Sequence, residues 1–129
     1  MVVPRFVEAA LKNQPLKVYG TGKQTRCFGH VSDVVDAILR VDGTLKTIGK
    51  PINIGVNQEI SINDLASKIL ERTKSNSTVI YESYEDAYAQ GFEDMERRVP
   101  DNSLLRKLTG WAPTKNIENI IDDLIDFLN

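Results

Sequence analysis

Cysteine and histidine are almost missing from this sequence: among its 129 residues, Cys27 and His30 are the sole members of their types. A single cysteine excludes an intrachain disulfide, which is typical of a protein in the reducing cytoplasm. Neither residue is accompanied by the further ligands that a zinc site needs, so we predict no bound metal. A Cys–His nucleophile pair would lack a third group to orient it. A packed cysteine, and a histidine outside any reacting centre, are the favoured interpretation.

Long apolar runs and a strong net charge are absent as well. No window of about 18 consecutive apolar residues exists, so no transmembrane helix is predicted, and residues 1–6 lack the order of a signal peptide. The net charge of −2 gives no general attraction to nucleic acid or to an anionic membrane. Residues 1–81, however, carry 11 Lys and Arg against 7 Asp and Glu. An anionic ligand is therefore expected in that part, with ordinary surface scatter as the alternative.

The spacing of apolar residues alternates between helical and strand periods, which predicts a mixed α/β fold in a single domain. Ser61 is expected to cap one helix, with Asp64 three residues later in a variant of the capping box. Ser32 is expected to cap another helix, whose apolar stripe should face the core. That stripe consists of Val31, Val34, Val35, Ile38 and Leu39.

Further elements are predicted from the same patterns. The remaining helices are expected over residues 3–11, over 102–109 before Gly110, and after an Asn116 cap up to Leu128, and the strands over 16–19, 25–28, 51–55 and 78–81. Residues 82–100 are polar and acidic, and a connection of this length is often functional, with a plain surface loop as the alternative.

A two-glycine turn, Gly20-Thr21-Gly22, separates the first two predicted strands and is followed by Arg26. Glycine lets the backbone turn sharply and approach a ligand, and a guanidinium group offers a planar fork of donors to phosphate oxygens. The turn and the arginine together suggest an anion-binding site. They are not a dinucleotide fingerprint, because position 25 is threonine and the turn leads into a strand instead of a helix.

Arg26 and the distant pair Arg97-Arg98 are the favoured ligand-binding residues, since they could hold a diphosphate from two sides. Each such contact is worth about 1.5–3 kcal/mol. The alternative is that Arg26 pairs with a carboxylate such as Asp33. Tyr19 and Lys23 have the Tyr-x-x-x-Lys spacing of a dehydrogenase base, but the glycines between them disfavour a helix. We interpret that spacing as chance and predict no catalytic residue.

Four segments, in order along the chain, carry a family resemblance. They are the helix at 2–11, the run Y-G-T-G-K-Q-T-R-C-F-G-H-V-S-D-V-V-D at 19–36, the strand-then-helix unit at 51–62, and the segment from R-R-V-P-D to L-T-G-W-A-P at 97–113. They resemble the substrate domain of the extended short-chain dehydrogenases, which are NAD-dependent nucleotide-sugar epimerases, dehydratases and decarboxylases. The motifs K-Q-x-R-x-F and R-x-P-D are most similar to those of UDP-glucuronate decarboxylases.

The resemblance implies a small mixed α/β substrate-binding domain over residues 1–129, without the amino-terminal Rossmann domain. It implies that Arg26 contacts the substrate diphosphate, and that Arg98, or Arg97 if the register slips by one, contacts the diphosphate or the sugar. Backbone at Tyr19 would lie against the nucleobase, and Gln24 would lie near the same pocket.

The resemblance also implies partners. The ligand would be a UDP-sugar, and the Rossmann domain of the same enzyme would hold NAD, leaving no cofactor in this chain. The chain alone would be inactive and would bind weakly, and a face meant for the Rossmann domain would be exposed, which would permit a homo-oligomer. The alternative function is a free-standing nucleotide-binding or protein-interaction module without a catalytic parent.

Overall fold

Helices and short strands alternate along the chain, as a mixed α/β fold requires. The computed structural model describes residues 1–83 and 95–128, so most of the predicted loop at 82–100 lies outside the described residues. The strands are β1 Leu16–Tyr19, β2 Thr25–Cys27, β3 Glu59–Ser61 and β4 Val79–Glu82. The helices are α1 Val2–Leu11, α2 Val31–Asp42, α3 Ile62–Thr73, α4 Ser103–Thr109 and α5 Ile117–Leu128, with a 3₁₀ turn at Leu45–Thr47.

The backbone divides into two compact units. The first comprises Met1–Arg26, Ile60–Arg97 and Ile121–Asn129, and the second comprises Cys27–Glu59 and Arg98–Ile120. β2 and β3 pair with each other in a two-stranded sheet.

The first unit is built on a parallel pair of strands. β1 and β4 pair in the register Leu16 with Val79 through Tyr19 with Glu82. α1 and α3 pack against each other and against β1, because each presents apolar residues three and four positions apart. The fully buried side chains of this unit include Val7, Leu16, Val18, Leu65, Ile69 and Ile121.

Helix starts in and beside this unit follow local sequence signals. The Ser61 hydroxyl oxygen accepts a hydrogen bond from the Asp64 amide at 3.0 Å and donates to the Asp64 carboxylate at 2.6 Å. Asn116 and Asn119 cap α5 reciprocally, each side-chain oxygen accepting from the other's amide at 2.9–3.0 Å. The predicted caps at Ser61 and Asn116 are confirmed, because a cap needs only residues within one helical turn.

The second unit has a small core of its own around α2. Ala37, Val56, Leu105 and Trp111 are buried together. The Trp111 indole N–H donates to the backbone oxygen of Asp33 at 2.9 Å, so its polar atom is satisfied in the core. Gly110 ends α4 in the left-handed conformation, with φ +68°, as the sequence predicts.

Two predictions for α2 are wrong. The residue that caps it is His30 and not Ser32: the His30 ring nitrogen accepts from the Ser32 amide at 3.1 Å. The predicted apolar stripe does not face the core, since Val31 is 69% and Leu39 65% exposed. Asp33 and Ala37 occupy the buried face instead. Asp33 can be buried there because its carboxylate is fully hydrogen-bonded, which no apolar periodicity reveals.

The predicted strand at 51–55 is also wrong. Residues 51–58 form no strand, although Ile52 and Ile54 pack on the core of the second unit. A strand is defined by pairing with a neighbour, and none of the described residues pairs with this run.

Candidate functional site

The glycine turn between β1 and β2 is closed by α3. Gly20 and Gly22 both have positive φ, +69° and +71°, which strongly favours glycine. A Cβ added at Gly22 would lie 1.9 Å from the Asn63 side-chain oxygen. Asn63 also donates from its side chain to the Thr21 oxygen at 3.1 Å and from its amide to the Gly22 oxygen at 3.0 Å. The close approach that requires glycine at position 22 is thus made by the chain's own helix.

Two of the predicted ligand residues, Tyr19 and Gln24, lie together at this turn. The Gln24 side-chain amide donates to the Tyr19 backbone oxygen at 2.9 Å, and the Gln24 backbone oxygen accepts from the Ile62 amide at 3.1 Å. Arg5 donates to the Tyr19 hydroxyl at 3.1 Å, with its guanidinium 5.3 Å from the ring centroid. Cation–π attraction and a hydrogen bond therefore both orient the Tyr19 ring.

Arg26 and Arg97 lie on neighbouring backbone segments of the first unit. The Thr25 amide donates to the Glu96 oxygen at 2.8 Å, and Thr25 forms a parallel bridge with Arg97. Adjacent strands lie about 4.8 Å apart, so the bridge brings together two guanidinium-bearing residues that are 71 positions apart in sequence. Arg26 is half-buried and donates to the Thr25 oxygen at 2.7 Å. Arg98, the next residue, is exposed and belongs to the second unit.

Sequence reasoning missed Arg5 and Asn63 as members of this region. Asn63 is held from the other side by the Tyr81 hydroxyl, which donates to its side-chain oxygen at 3.1 Å. A weak signal existed for Asn63, because a polar residue just after a helix cap commonly binds nearby backbone. Nothing local pairs Arg5 with Tyr19, which lies 14 positions away.

The buried Asp33 carboxylate of the second unit is a structural anchor. It accepts from the Thr114 hydroxyl at 2.7 Å and from the amides of Thr114 and Lys115, both at 3.0 Å. Burial alone would raise the pKa of this carboxyl, but the hydrogen bonds from Thr114 and Lys115 outweigh it, so the pKa is lowered.

Several other chemistries can be assessed at the same positions. Tyr19 ends a strand and Lys23 lies in the turn after it, so the two do not stack on one helical face, as predicted. Across the described ranges, no group of three or more His, Cys, Asp and Glu side chains is placed to hold a metal ion. No helix within those ranges is both long and apolar enough to cross a membrane.

The sequence and the fold of this chain are both similar to those of known proteins. The sequence profile of the GDP-mannose 4,6 dehydratase family matches residues 1–124. The chain is 39% identical over 126 residues to a UDP-N-acetyl-alpha-D-glucosaminuronate decarboxylase from Bacillus cytotoxicus, covering 98% of this chain. It superposes on an epimerase from Methanothermobacter thermautotrophicus with a TM-score of 0.87, 25% identity and 99% of the chain covered.

A third relative was solved with ligands. The UDP-glucuronic acid 4-epimerase from Bacillus cereus, in complex with UDP-glucuronic acid and NAD, matches the whole chain with a TM-score of 0.85 and 25% identity. The chain spans only 39% of the Bacillus cytotoxicus protein, 37% of the archaeal epimerase and 40% of the Bacillus cereus epimerase. The fold and the sequence agree: this chain belongs to the GDP-mannose 4,6 dehydratase family of extended short-chain dehydrogenases, and corresponds to their carboxy-terminal part.

Proposed function

We propose that this chain is the UDP-sugar-binding part of an NAD-dependent nucleotide-sugar epimerase, dehydratase or decarboxylase, and that Arg26, together with Arg97 or Arg98, binds the substrate diphosphate. The observation that carries the proposal is the parallel bridge between Thr25 and Arg97. It places two permanently charged side chains on adjacent backbone segments, and a diphosphate carries negative charge on two neighbouring groups. Planar guanidinium groups match such oxygens in geometry as well as in charge.

Arg97 and Arg98 are alternatives for the second contact. Residues paired in a bridge present their side chains on one face, so Arg97 shares the face of Thr25. Successive side chains alternate between faces, so Arg26 projects on the face opposite to Arg97. The alternation of faces therefore favours Arg98 and the shared unit favours Arg97, and the variants below distinguish the two.

The nucleobase end of the ligand is proposed to lie at Tyr19 and Gln24. Gln24 is fixed by its bonds to the Tyr19 and Ile62 backbone, and Arg5 fixes the Tyr19 ring. A preorganised edge of this kind lowers the ordering cost of binding. The named substrates of the relatives, UDP-linked uronic acids, support a UDP-sugar as the ligand class.

Nicotinamide chemistry is proposed to belong to another part of the parent enzyme. The glycine turn leads into β2 and not into a helix, and Asn63 occupies the space beside Gly22. The turn therefore does not fit a dinucleotide pyrophosphate, which is bound at a helix N-terminus. In the parent, bound NAD would supply the oxidation of the sugar, and the residues described here would bind and orient the nucleotide. A cytoplasmic location fits the supply of such substrates and the presence of one cysteine, Cys27, in the sequence.

The proposal is tested by titrating the 129-residue chain with UDP, UMP and uridine and measuring affinity by calorimetry. We expect UDP to bind more tightly than UMP, and Arg26→Ala to weaken UDP binding by about 10-fold or more, since one charge-assisted contact is worth about 1.5–3 kcal/mol. Whichever of Arg97→Ala and Arg98→Ala removes the second contact should act similarly, and the other should weaken binding less. Arg106→Ala, which removes an exposed arginine of α4, is the matched control and should change nothing.

Two results would contradict the proposal. One is an equal affinity for UDP in the parent chain and in Arg26→Ala, Arg97→Ala and Arg98→Ala. The other is the absence of any UDP binding at millimolar concentration, which would favour the free-standing interaction module instead.

A further inference from the structure

Asn63, the second residue of α3, is bonded to the glycine turn by both its backbone and its side chain. Its backbone amide donates to the Gly22 oxygen at 3.0 Å, and its side-chain amide donates to the Thr21 oxygen at 3.1 Å. The Ile62 amide before it donates to the Gln24 oxygen at 3.1 Å. Three backbone oxygens in and just after the turn therefore accept hydrogen bonds from the first two residues of α3, whose backbone amides have no partner within the helix.

The glycine turn has a high intrinsic freedom that the fold must restrain. Glycine has more backbone freedom than any other residue, and Gly20 and Gly22 lie within three positions of each other. The Thr21 side chain between them is exposed, so it adds no packing to fix the turn. The order of the turn therefore depends on hydrogen bonds, and the side chain of Asn63 donates one of them.

Asn63 is itself held by β4. The Tyr81 hydroxyl donates to the Asn63 side-chain oxygen at 3.1 Å, and Tyr81 pairs with Val18 in the register of β1 and β4. The Tyr81 residue is 58% exposed, so burial does not account for the position of its hydroxyl. A side-chain amide that accepts on its oxygen and donates from its nitrogen is fixed in one orientation. Tyr81 thus sets the orientation in which Asn63 reaches the turn.

We propose that Asn63 is a positioning residue for nucleotide binding: through the turn it holds Tyr19 and Gln24 in the arrangement that meets the nucleobase, and Tyr81 holds Asn63. The inference rests on the proposed function. The turn connects Tyr19 to Gln24, and the Gln24 side chain donates to the Tyr19 oxygen at 2.9 Å, so a change in the turn moves one residue relative to the other. A site that is already ordered loses less conformational entropy when its ligand binds.

The test measures, by NMR titration, the affinities of UDP and of uridine for the 129-residue chain and for Asn63→Ala. Both affinities should fall by the same factor, about 3- to 10-fold, which is the effect of losing one neutral hydrogen bond. Arg26→Ala should instead weaken the binding of UDP and leave that of uridine unchanged. The ratio of the two affinities therefore separates positioning at the nucleobase from a contact with the phosphates.

Tyr81→Phe should act in the same direction as Asn63→Ala and more weakly. Combining the two substitutions should bring no further loss of affinity, because both act through the same side chain. If Asn63→Ala does not fold, Tyr81→Phe carries the same test, since it changes an exposed residue.

Ser75→Ala is the matched control. The Ser75 hydroxyl donates to the Ala10 oxygen at 2.7 Å, just beyond the opposite end of α3, so this variant loses a hydrogen bond of the same unit away from the turn. It should lower the thermal midpoint and leave both affinities unchanged.

Backbone order parameters of residues 20–24, measured by NMR without ligand, test the positioning role independently of binding. They should fall in Asn63→Ala and keep their parent values in Ser75→Ala. The inference is overturned if the turn keeps its order in Asn63→Ala, or if the turn loosens while both affinities keep their parent values. A loss confined to UDP would overturn it as well, because the effect would then lie at the phosphates.

These outcomes differ from the one that ends the proposed function. If the parent chain binds neither UDP nor uridine, the proposed function fails, and a positioning role in nucleotide binding fails with it. If the parent chain binds UDP and Arg26→Ala weakens that binding, while Asn63→Ala binds both ligands as the parent does, the proposed function stands and the inference alone fails.

Discussion

The two units of this protein differ in how much of their apolar surface they bury within themselves. In the first unit, the apolar faces of α1 and α3 meet each other and β1, and their residues are buried. In the second, α2 buries an aspartate and an alanine and leaves its larger apolar side chains exposed. The difference teaches that periodicity identifies an apolar face, whereas burial depends on whether a covering element is present.

The largest expected effect concerns the core of the second unit. Trp111→Ala should lower the free energy of unfolding by about 3–5 kcal/mol, because it leaves a cavity and removes the donor to the Asp33 oxygen. Ile69→Ala in the first unit, where Ile69 is fully buried, should cost about 2–5 kcal/mol. Amide exchange measured residue by residue would show where protection is lost. If either substitution reduced amide protection equally in both units, the two units would behave as one cooperative core and the contrast between them would fail.

A smaller effect is expected at Asp33, and it depends on pH. In the folded chain the carboxyl has a pKa below its usual value of 3.8, so its stabilisation is present above that value. It is lost as the pH falls through the lower, folded pKa. Asp33→Asn should therefore cost about 1.5–3 kcal/mol at neutral pH.

The check is urea unfolding of the parent chain and Asp33→Asn at several pH values. The difference between them should shrink in acid. Asp36→Asn, an exposed residue paired with Arg40 on the same helix, is the control and should change stability little. A difference at Asp33 that stays constant from neutral pH to pH 3 would contradict an ionised anchor.

The last expected effect is at the glycine turn of the first unit. Gly22→Ala should cost about 1–2 kcal/mol from its left-handed backbone, and further from the clash with Asn63. In the double variant with Asn63→Ala, the clash is relieved, so the part of the stability loss that comes from it should be regained. The part that comes from the left-handed backbone should remain. Thermal unfolding of both variants measures this. A Gly22→Ala chain as stable as the parent would show that the turn and α3 do not hold each other.

The sequence predicted well those features that depend on near neighbours. β1 is found where it was expected, and Ser61 and Asn116 cap their helices, because each signal acts over a few residues. The fold class followed from alternating periods, and the family from four segments in order. The predictions for α2 and for residues 51–55 failed, because each depends on partners distant in sequence or absent from the described residues.

The candidate site divides in the same way. Tyr19 and Gln24 lie close together because they are only five positions apart, on either side of one turn. The hydrogen bond between the backbones of Thr25 and Glu96 joins residues far apart in sequence. The sequence indicated their nearness only through the chemistry of Arg26 and Arg97-Arg98, as one of two alternatives. Asn63 was missed because its bond to Thr21 joins residues 42 positions apart. The functional roles of Arg26, Arg97 and Arg98 remain predictions for the titrations above.

The buried Asp33 carboxylate ties together two distant parts of the chain. Its bonds to Thr114 and Lys115 join points 81 and 82 residues apart, a span over which other small proteins use a covalent cross-link. With one cysteine, this chain has no such link within itself. Three hydrogen bonds to one carboxylate take its place, and unlike a disulfide this tie is indifferent to reductants and is released by protons.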